Sequence, residues 1–194
     1  MLHSFNNASL FLLQSIFDLY IFILLLRVIL QWANINTNNP LFILIETLTN
    51  PPLRPIYRII SNLHGIDLAA ILLLLGLEII KFSFILGLQI NTTPHLMGVV
   101  LLGFADLLNQ LINIFFYTLI ALTILSWVNP LAHGPLVEVL VRISEPLLKP
   151  IRGILPPLSR FDFSPLILII GLKVLSILIV HPLIQIGANL AFGH

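Results

Sequence analysis

The chain of 194 residues contains no cysteine. It can hold no disulfide, thiol nucleophile, haem-attachment CxxCH or cysteine-ligated zinc. Charge is also scarce: Asp, Glu, Lys and Arg make up 9% of the residues, against about 25% in ordinary soluble domains. The six histidines (His3, His64, His95, His133, His181 and His194) are scattered through tails, loops and one apolar run. They form no HExxH, paired-His set or bis-His haem arrangement. Ser126, Ser144 and Ser164 have no histidine within reach, and no glycine-rich phosphate loop occurs. These absences argue against an enzyme, and no cofactor or metal is expected.

What is abundant is apolar sequence, 58% of the chain with a mean hydropathy of +1.07. Four runs, residues 8–32, 66–90, 97–127 and 163–189, reach or exceed the ~20 helical residues that cross a ~30 Å hydrocarbon core. A single such run could be a buried core helix, but four in so short a chain leave no polar face to solvate a globule. LLLLG and LILII do not alternate as β-barrel strands would. The expected class is an all-α integral membrane protein with four transmembrane helices. The N-terminal MLHSFNNASLFLLQ lacks a basic segment and a small-x-small cleavage site, so it reads as a retained helix.

Basic residues are unevenly placed. Arg54 and Arg58 lie between the first two runs, with Arg27 just inside the preceding helix, and Arg142, Lys149, Arg152 and Arg160 lie between the last two. The middle loop, INTTPH, and both tails have none. Lys and Arg mark cytoplasmic loops. Both long connectors are therefore expected inside, and both termini and the 91–95 loop on the periplasmic side of a bacterial inner membrane.

A shift of 95 residues aligns the two halves without a gap. Trp32 meets Trp127, Pro51 meets Pro146, Pro55 meets Pro150, Arg54 meets Lys149, Asp67 meets Asp162 and Gly76 meets Gly171. Leucines match cheaply in such a chain; Trp, Asp and prolines in register do not. The expected organisation is a repeat over 1–95 (helix 8–32, connector 33–65, helix 66–90) and another over 96–194 (helix 97–127, connector 128–162, helix 163–189). Two crossings per unit give the halves one orientation, related by a pseudo-two-fold along the membrane normal.

These aligned signatures resemble the YGGT family of small bacterial and plastid membrane proteins. Its motif is a Trp ending a helix, then P-x-L-x-P-x-R, then a D-x-S-P-like entry into the next helix. Here these are Trp127, Pro146 to Arg152, and Asp162-Phe163-Ser164-Pro165. The first copy departs from it, with Tyr57 opposite Arg152 and Ala69-Ala70 opposite Ser164-Pro165. The two-copy form looks like the proteobacterial branch. The resemblance implies a link to osmotic-stress tolerance and potassium uptake. In other branches it implies links to division gene clusters, plastid nucleoid distribution and haem attachment in cytochrome b assembly. It implies no enzymatic reaction.

In the second connector Glu138, Arg142, Glu145, Lys149 and Arg152 follow a 4-3-4-3 spacing, one stripe of an amphipathic helix lying in the interface. Leu136, Val139, Leu140, Ile143, Leu147 and Ile151 fill the other side. Pro146 and Pro150 predict a break after about Ser144, since each removes a donor and clashes one turn back. The first-copy stripe, Ile43, Thr47, Asn50, Arg54 and Tyr57, is less charged. Such a surface is either a solvated face or a docking site for a membrane-protein partner or a second copy. Its cations, Arg54, Arg58, Lys149, Arg152 and Arg160, suit an anionic leaflet, where each contributes about 1 kcal/mol. Nucleic acid is not expected, for want of stacking aromatics and excess base. Trp32 and Trp127 are read as interfacial anchors, and Asp67 and Asp162 as caps of the following helices.

Ionisable residues inside the spans are Asp18, Arg27, Glu78, Lys81, Asp106, Lys173 and His181. Charges there are costly and commonly face a bundle interior or water. Glu78 and Lys173 are related by the shift and each stand about 16 Å beyond their entry Asp at 1.5 Å per residue. They are expected to pair across the pseudo-two-fold axis. Glu78 with Lys81 at i, i+3, and Lys81 with Asp18 at matching depth, are alternative pairings. Two function classes stay open: an organiser or accessory subunit acting through its connectors, and an oligomeric conduit for an ion or proton. Charges that merely neutralise one another favour the first.

Overall fold

The computed structural model describes residues 2–58, 67–90, 94–129, 131–154 and 162–192, without side chains for 2–7 and 88–90. The described residues form helices α1 (Leu2–Trp32), α2 (Pro40–Tyr57), α3 (Leu68–Ile90), α4 (Leu96–Val128), α5 (Pro135–Ile154), α6 (Ser164–Leu175) and α7 (His181–Phe192), the last two joined by a π-helical turn, Ser176–Val180. Each half runs long helix, connector helix, long helix. Among the described residues, four segments are long and apolar enough to span a membrane: Ala8–Trp32, Leu68–Gly87, Leu96–Val128 and Ser164–Phe192. Even the shortest, 20 residues, reaches about 30 Å. Much of their apolar surface points outward, as with Phe11, Leu19 and Leu178. In water this would be untenable; against lipid it costs nothing.

Local sequence sets the helix ends. Beyond Trp32, Asn34 takes φ 50°, a left-handed conformation that Asn tolerates. The Asn34 and Ile35 N–H groups then reach back to the Gln31 and Leu30 carbonyls at 3.1 and 3.2 Å, a Schellman closure. Asn39 caps α2, its Oδ1 accepting the Leu41 N–H at 3.0 Å, with Pro40 at the first helical position where its missing donor is harmless.

The connectors correct one expectation. α5 continues through Pro146 and Pro150, and α2 through Pro51, Pro52 and Pro55. Pro146, Pro150, Pro51 and Pro55 all sit on exposed faces. There the carbonyls deprived of a donor can turn to water or headgroups, so the loss does not force a break. The fourth span departs from the expected unbroken helix at Ser176–Val180. Pro182 cannot donate to the Leu178 carbonyl, and the widened turn just before it absorbs the mismatch.

Packing between the halves also departs from the expected pseudo-two-fold. One core cluster joins α1, α2 and α3 to Ile114 of α4 and Val139 and Ile143 of α5. A second joins α4 to α5, α6 and the π turn, and a third joins α3, α4 and α7. Thus α3 packs on α4, whereas among the described residues α1 meets neither α6 nor α7. A closed two-fold would make both contacts. Only five residues separate Ile90 from Leu96, which makes α3 and α4 neighbours; no such tether joins α1 to α7.

Two glycines allow the closest approaches. A Cβ on Gly98 would lie 2.2 Å from the Ala191 backbone nitrogen, and one on Gly103 would lie 2.9 Å from the Glu78 Cβ. Gly98→Val is therefore expected to push α7 off α4 at a cost of about 1–3 kcal/mol, seen as a lower thermal midpoint in detergent. Gly76→Ala, with open space around the site, should hold or raise the midpoint. Equal effects of the two would contradict this packing.

Candidate functional site

Two polar clusters are built on these helices. The deeper one centres on Lys81 of α3, which is 1% exposed. Its Nζ lies 2.9 Å from Asp18 Oδ1 of α1, 2.7 Å from Glu78 Oε2 one turn back, and 2.5 Å from Asp106 Oδ2 of α4. Gln110, one turn beyond Asp106, donates through Nε2 to Glu78 Oε1 and Asp106 Oδ2, each at 3.2 Å. Glu78 is fully buried. Its Oε2 accepts no hydrogen bond of good geometry despite its closeness to the ammonium. That contact is therefore Coulombic and badly aligned. The side chains of Asp18 and Asp106 remain 42% and 26% exposed, at mid-span.

Three carboxyls thus surround one ammonium (three minus one, an excess of two negative charges if all are ionised).

The expected Glu78–Lys173 pair does not form. Glu78 faces α4, where Gly103 leaves room for it. Lys173 is exposed and lies over a different part of α4, its Nζ 4.2 Å from the centroid of the Phe116 ring. Because α3 and α6 do not pack together, positions related by the 95-residue shift face different neighbours. The alternative pairings, Glu78–Lys81 and Asp18–Lys81, are both present, and Asp106 joins them. Gln110 was missed in the sequence, although its place four residues after Asp106 puts both on one helical stripe.

The second cluster lies where α1 meets its connector. Arg27, 3% exposed, donates from Nη1 to Thr49 Oγ1 at 2.6 Å and Asn50 Oδ1 at 2.8 Å, and from Nη2 to Tyr57 Oη at 3.3 Å. Tyr57 in turn donates to Asp67 Oδ2, which lies 3.6 Å from Arg27 Nε. The other Asp67 oxygen caps α3, accepting the Ala70 N–H at 3.0 Å. Burial, reinforced by the bond to Asp67, pushes the Tyr57 phenol upward, keeping it a donor. Asn39 ties the two connectors, its Nδ2 donating to the Pro135 carbonyl at 3.1 Å and Glu138 Oε2 at 2.9 Å.

The second half holds its entry aspartate differently. Leu122 stands where Arg27 does in the first half, and Arg152 where Tyr57 does. Arg152 reaches Asp162 from Nη2 at 2.7 Å and Nε at 2.8 Å, and Asp162 Oδ1 accepts the Ser164 N–H at 2.9 Å. Partial burial would raise the Asp162 pKa, but the bonds from Ser164 and Arg152 outweigh it and hold the carboxyl below its ordinary value. Its stabilising contribution is present above the ordinary Asp value and is lost as pH falls below that value and through the lowered one of the folded chain.

Of the other residues singled out in the connectors, Arg54, Arg58, Arg142, Glu145, Lys149 and Arg152 are exposed, and Glu138 is half-buried against Asn39. Arg160 lies outside the described residues. Ser144, aligned with Thr49, is buried with an unbonded Oγ. Trp32 and Trp127 are exposed at their helix ends, Trp32 also meeting Phe115 edge-on at 6.2 Å. Among the described residues no group of three or more His, Asp or Glu could hold a metal ion.

A family model described as CCB3/YggT matches the chain over residues 6–89 and again over 101–183, two segments whose starts are 95 residues apart. An uncharacterised protein of Pseudomonas aeruginosa is 35% identical over 179 residues, 92% of this chain and 91% of its own. The uncharacterised protein YggT of Escherichia coli K12 is 33% identical over 187 residues, 96% of this chain and 97% of its own. A further relative from Vibrio alginolyticus is 34% identical over 168 residues, 86% of this chain and 90% of its own. No solved structure matches.

Proposed function

The chain belongs to the CCB3/YggT family, and from the geometry of this member we propose that it binds and exchanges a proton inside the membrane, as a proton-conducting or proton-coupled transport subunit. The observation that carries this reading is the imbalance at Lys81: three carboxyls, one ammonium and an amide, enclosed on three helices. A structural salt bridge needs one acid for one base. Surplus acids at mid-span are the usual substance of proton relays. Asp18 and Asp106, joined to the buried Glu78 through Lys81 and Gln110, would pass the proton to and from it.

Purified protein in liposomes loaded with a pH-sensitive dye and given a potassium diffusion potential should acidify or alkalinise the lumen faster than protein-free vesicles. Glu78→Gln should reduce that rate to the protein-free level while the protein stays folded. Flux unaffected by Glu78→Gln, or no flux from well-folded wild type, removes the reading.

A second reading is favoured by the exposed cations Arg54, Arg58, Arg142, Lys149 and Arg152: the connectors lie on an anionic leaflet and recruit other membrane proteins. An absence of flux would leave this reading in place.

For either role we place the connectors in the cytoplasm and both termini on the periplasmic side of a bacterial inner membrane, on the Lys/Arg asymmetry. The chain lacks cysteine, so single thiols report topology cleanly. In intact spheroplasts His95→Cys should react with an impermeant maleimide and Ile154→Cys should not. The opposite pattern would invert the orientation.

A further inference from the structure

The bundle is open on one side. α3 and α6 both pack on α4 but not on each other, and among the described residues α4 is the only element that packs on both. The strip of α4 between them is the floor of a cleft. Gly103 and Gln110 face α3, where they meet Glu78. Phe116 faces α6, under the Lys173 ammonium. At 3.6 residues per turn, Asp106, Asn113 and Tyr117 lie within roughly 40° of one another on the arc between those two directions.

That strip is polar. The Asp106 side chain is 26% exposed, Asn113 is half-buried and Tyr117 is 65% exposed. Neither the Asn113 amide nor the Tyr117 hydroxyl has a hydrogen-bond partner among the described residues. With Gln110 these side chains recur every three or four residues, from the carboxylate cluster toward the connector end, over about 16 Å of α4. Hydrocarbon offers amides and hydroxyls no partner, and polar groups at such depth commonly line water. A single lipid headgroup would serve one end of so long a strip; a file of water serves all of it.

We propose that the cleft between α3 and α6 is a water-filled inlet running from the connector end of the bundle to Asp106, with Gln110, Asn113 and Tyr117 as its floor and Lys173 at its rim. Water in it bonds the Asn113 amide and the Tyr117 hydroxyl and reaches the open side of the Asp106 carboxyl. The Lys173 ammonium makes the rim positive, so a charged solute entering the inlet feels its sign. The purpose of the inlet rests on the proton reading, since it gives the carboxylates a way to the connector side. Its hydration is measured without any flux.

A thiol reacts as the thiolate, which forms in water and not in hydrocarbon. Asn113→Cys and Tyr117→Cys would be made singly in this cysteine-free chain, in sealed vesicles whose exposed side is identified by labelling of Ile154→Cys. The control is Leu178→Cys: Leu178 is 68% exposed and lies between the buried Ser176 and Val180, on the side of its helix away from α4. Charged methanethiosulfonates added on the connector side should modify Asn113→Cys and Tyr117→Cys about tenfold faster than Leu178→Cys, or more. At Tyr117→Cys, adding Lys173→Gln should slow the anionic reagent relative to the cationic one. Three results would overturn the proposal. They are an Asn113→Cys that is inert in the folded protein yet reacts once denatured, a Leu178→Cys that reacts as fast, or a reagent ratio indifferent to Lys173→Gln. Modification without proton flux would sink the proton reading and leave the inlet standing. Flux without modification would do the reverse.

Discussion

Lys81→Met is expected to lower the yield of folded protein more than any other single substitution in the bundle. It removes the one cation that Asp18, Glu78 and Asp106 share within 3 Å, leaving three carboxyls facing one another in a poorly screened site. Stripping one partner from a buried pair costs about 3–5 kcal/mol, and here three groups lose their counter-ion together. Combining Lys81→Met with Asp18→Asn, Glu78→Gln and Asp106→Asn should restore the yield, because no uncompensated charge remains. The readout is the monodisperse fraction in mild detergent and its thermal midpoint. If Lys81→Met folds as well as wild type, the cluster is not held by charge. If it fails and the quadruple variant fails equally, the loss is one of side-chain packing rather than electrostatics.

Arg27→Met should follow, also at about 3–5 kcal/mol, since it leaves the buried Asp67 without its cation and breaks the bonds that dock α2 on α1. Arg27→Lys should recover little, because an ammonium cannot reproduce the spread of donors that reach Thr49, Asn50 and Tyr57 together. The second half supplies an internal control. Arg152 and Asp162 form an ion pair with side chains 50% and 41% exposed, and exposed pairs contribute about 0–1 kcal/mol. Arg152→Met should therefore shift the unfolding midpoint only slightly. Comparable losses from Arg27→Met and Arg152→Met would refute the asymmetry between the halves.

Much of the architecture follows from the sequence because it rests on short-range rules. Runs of 20 or more apolar residues can only satisfy their backbone in lipid as helices, so all four spans are visible without coordinates. Asp67 caps α3, and Asp162, one residue before the Phe163 N-cap of α6, accepts the N–H of Ser164; both are contacts over two or three residues. Pairing at i, i+3 placed Glu78 beside Lys81, and equal depth placed Asp18 within reach of it.

What required tertiary structure is which faces meet. Symmetry in the sequence pointed to Glu78 and Lys173 as partners, yet the α3–α4 contact is not matched by one between α1 and α6 or α7, and α3 does not pack against α6. A repeat constrains each unit's internal fold; it does not determine how two units pack, because that depends on a few positions where the copies differ. Gly103 against Ala8, Asp106 against Phe11 and Gln110 against Ser15 make α4 a polar, close-packing surface for α3 and leave α1 without one. The connector prolines show the same division. Their chemistry is legible in the sequence, but whether it breaks a helix depends on whether the freed carbonyls face water or core, and only the folded chain decides that.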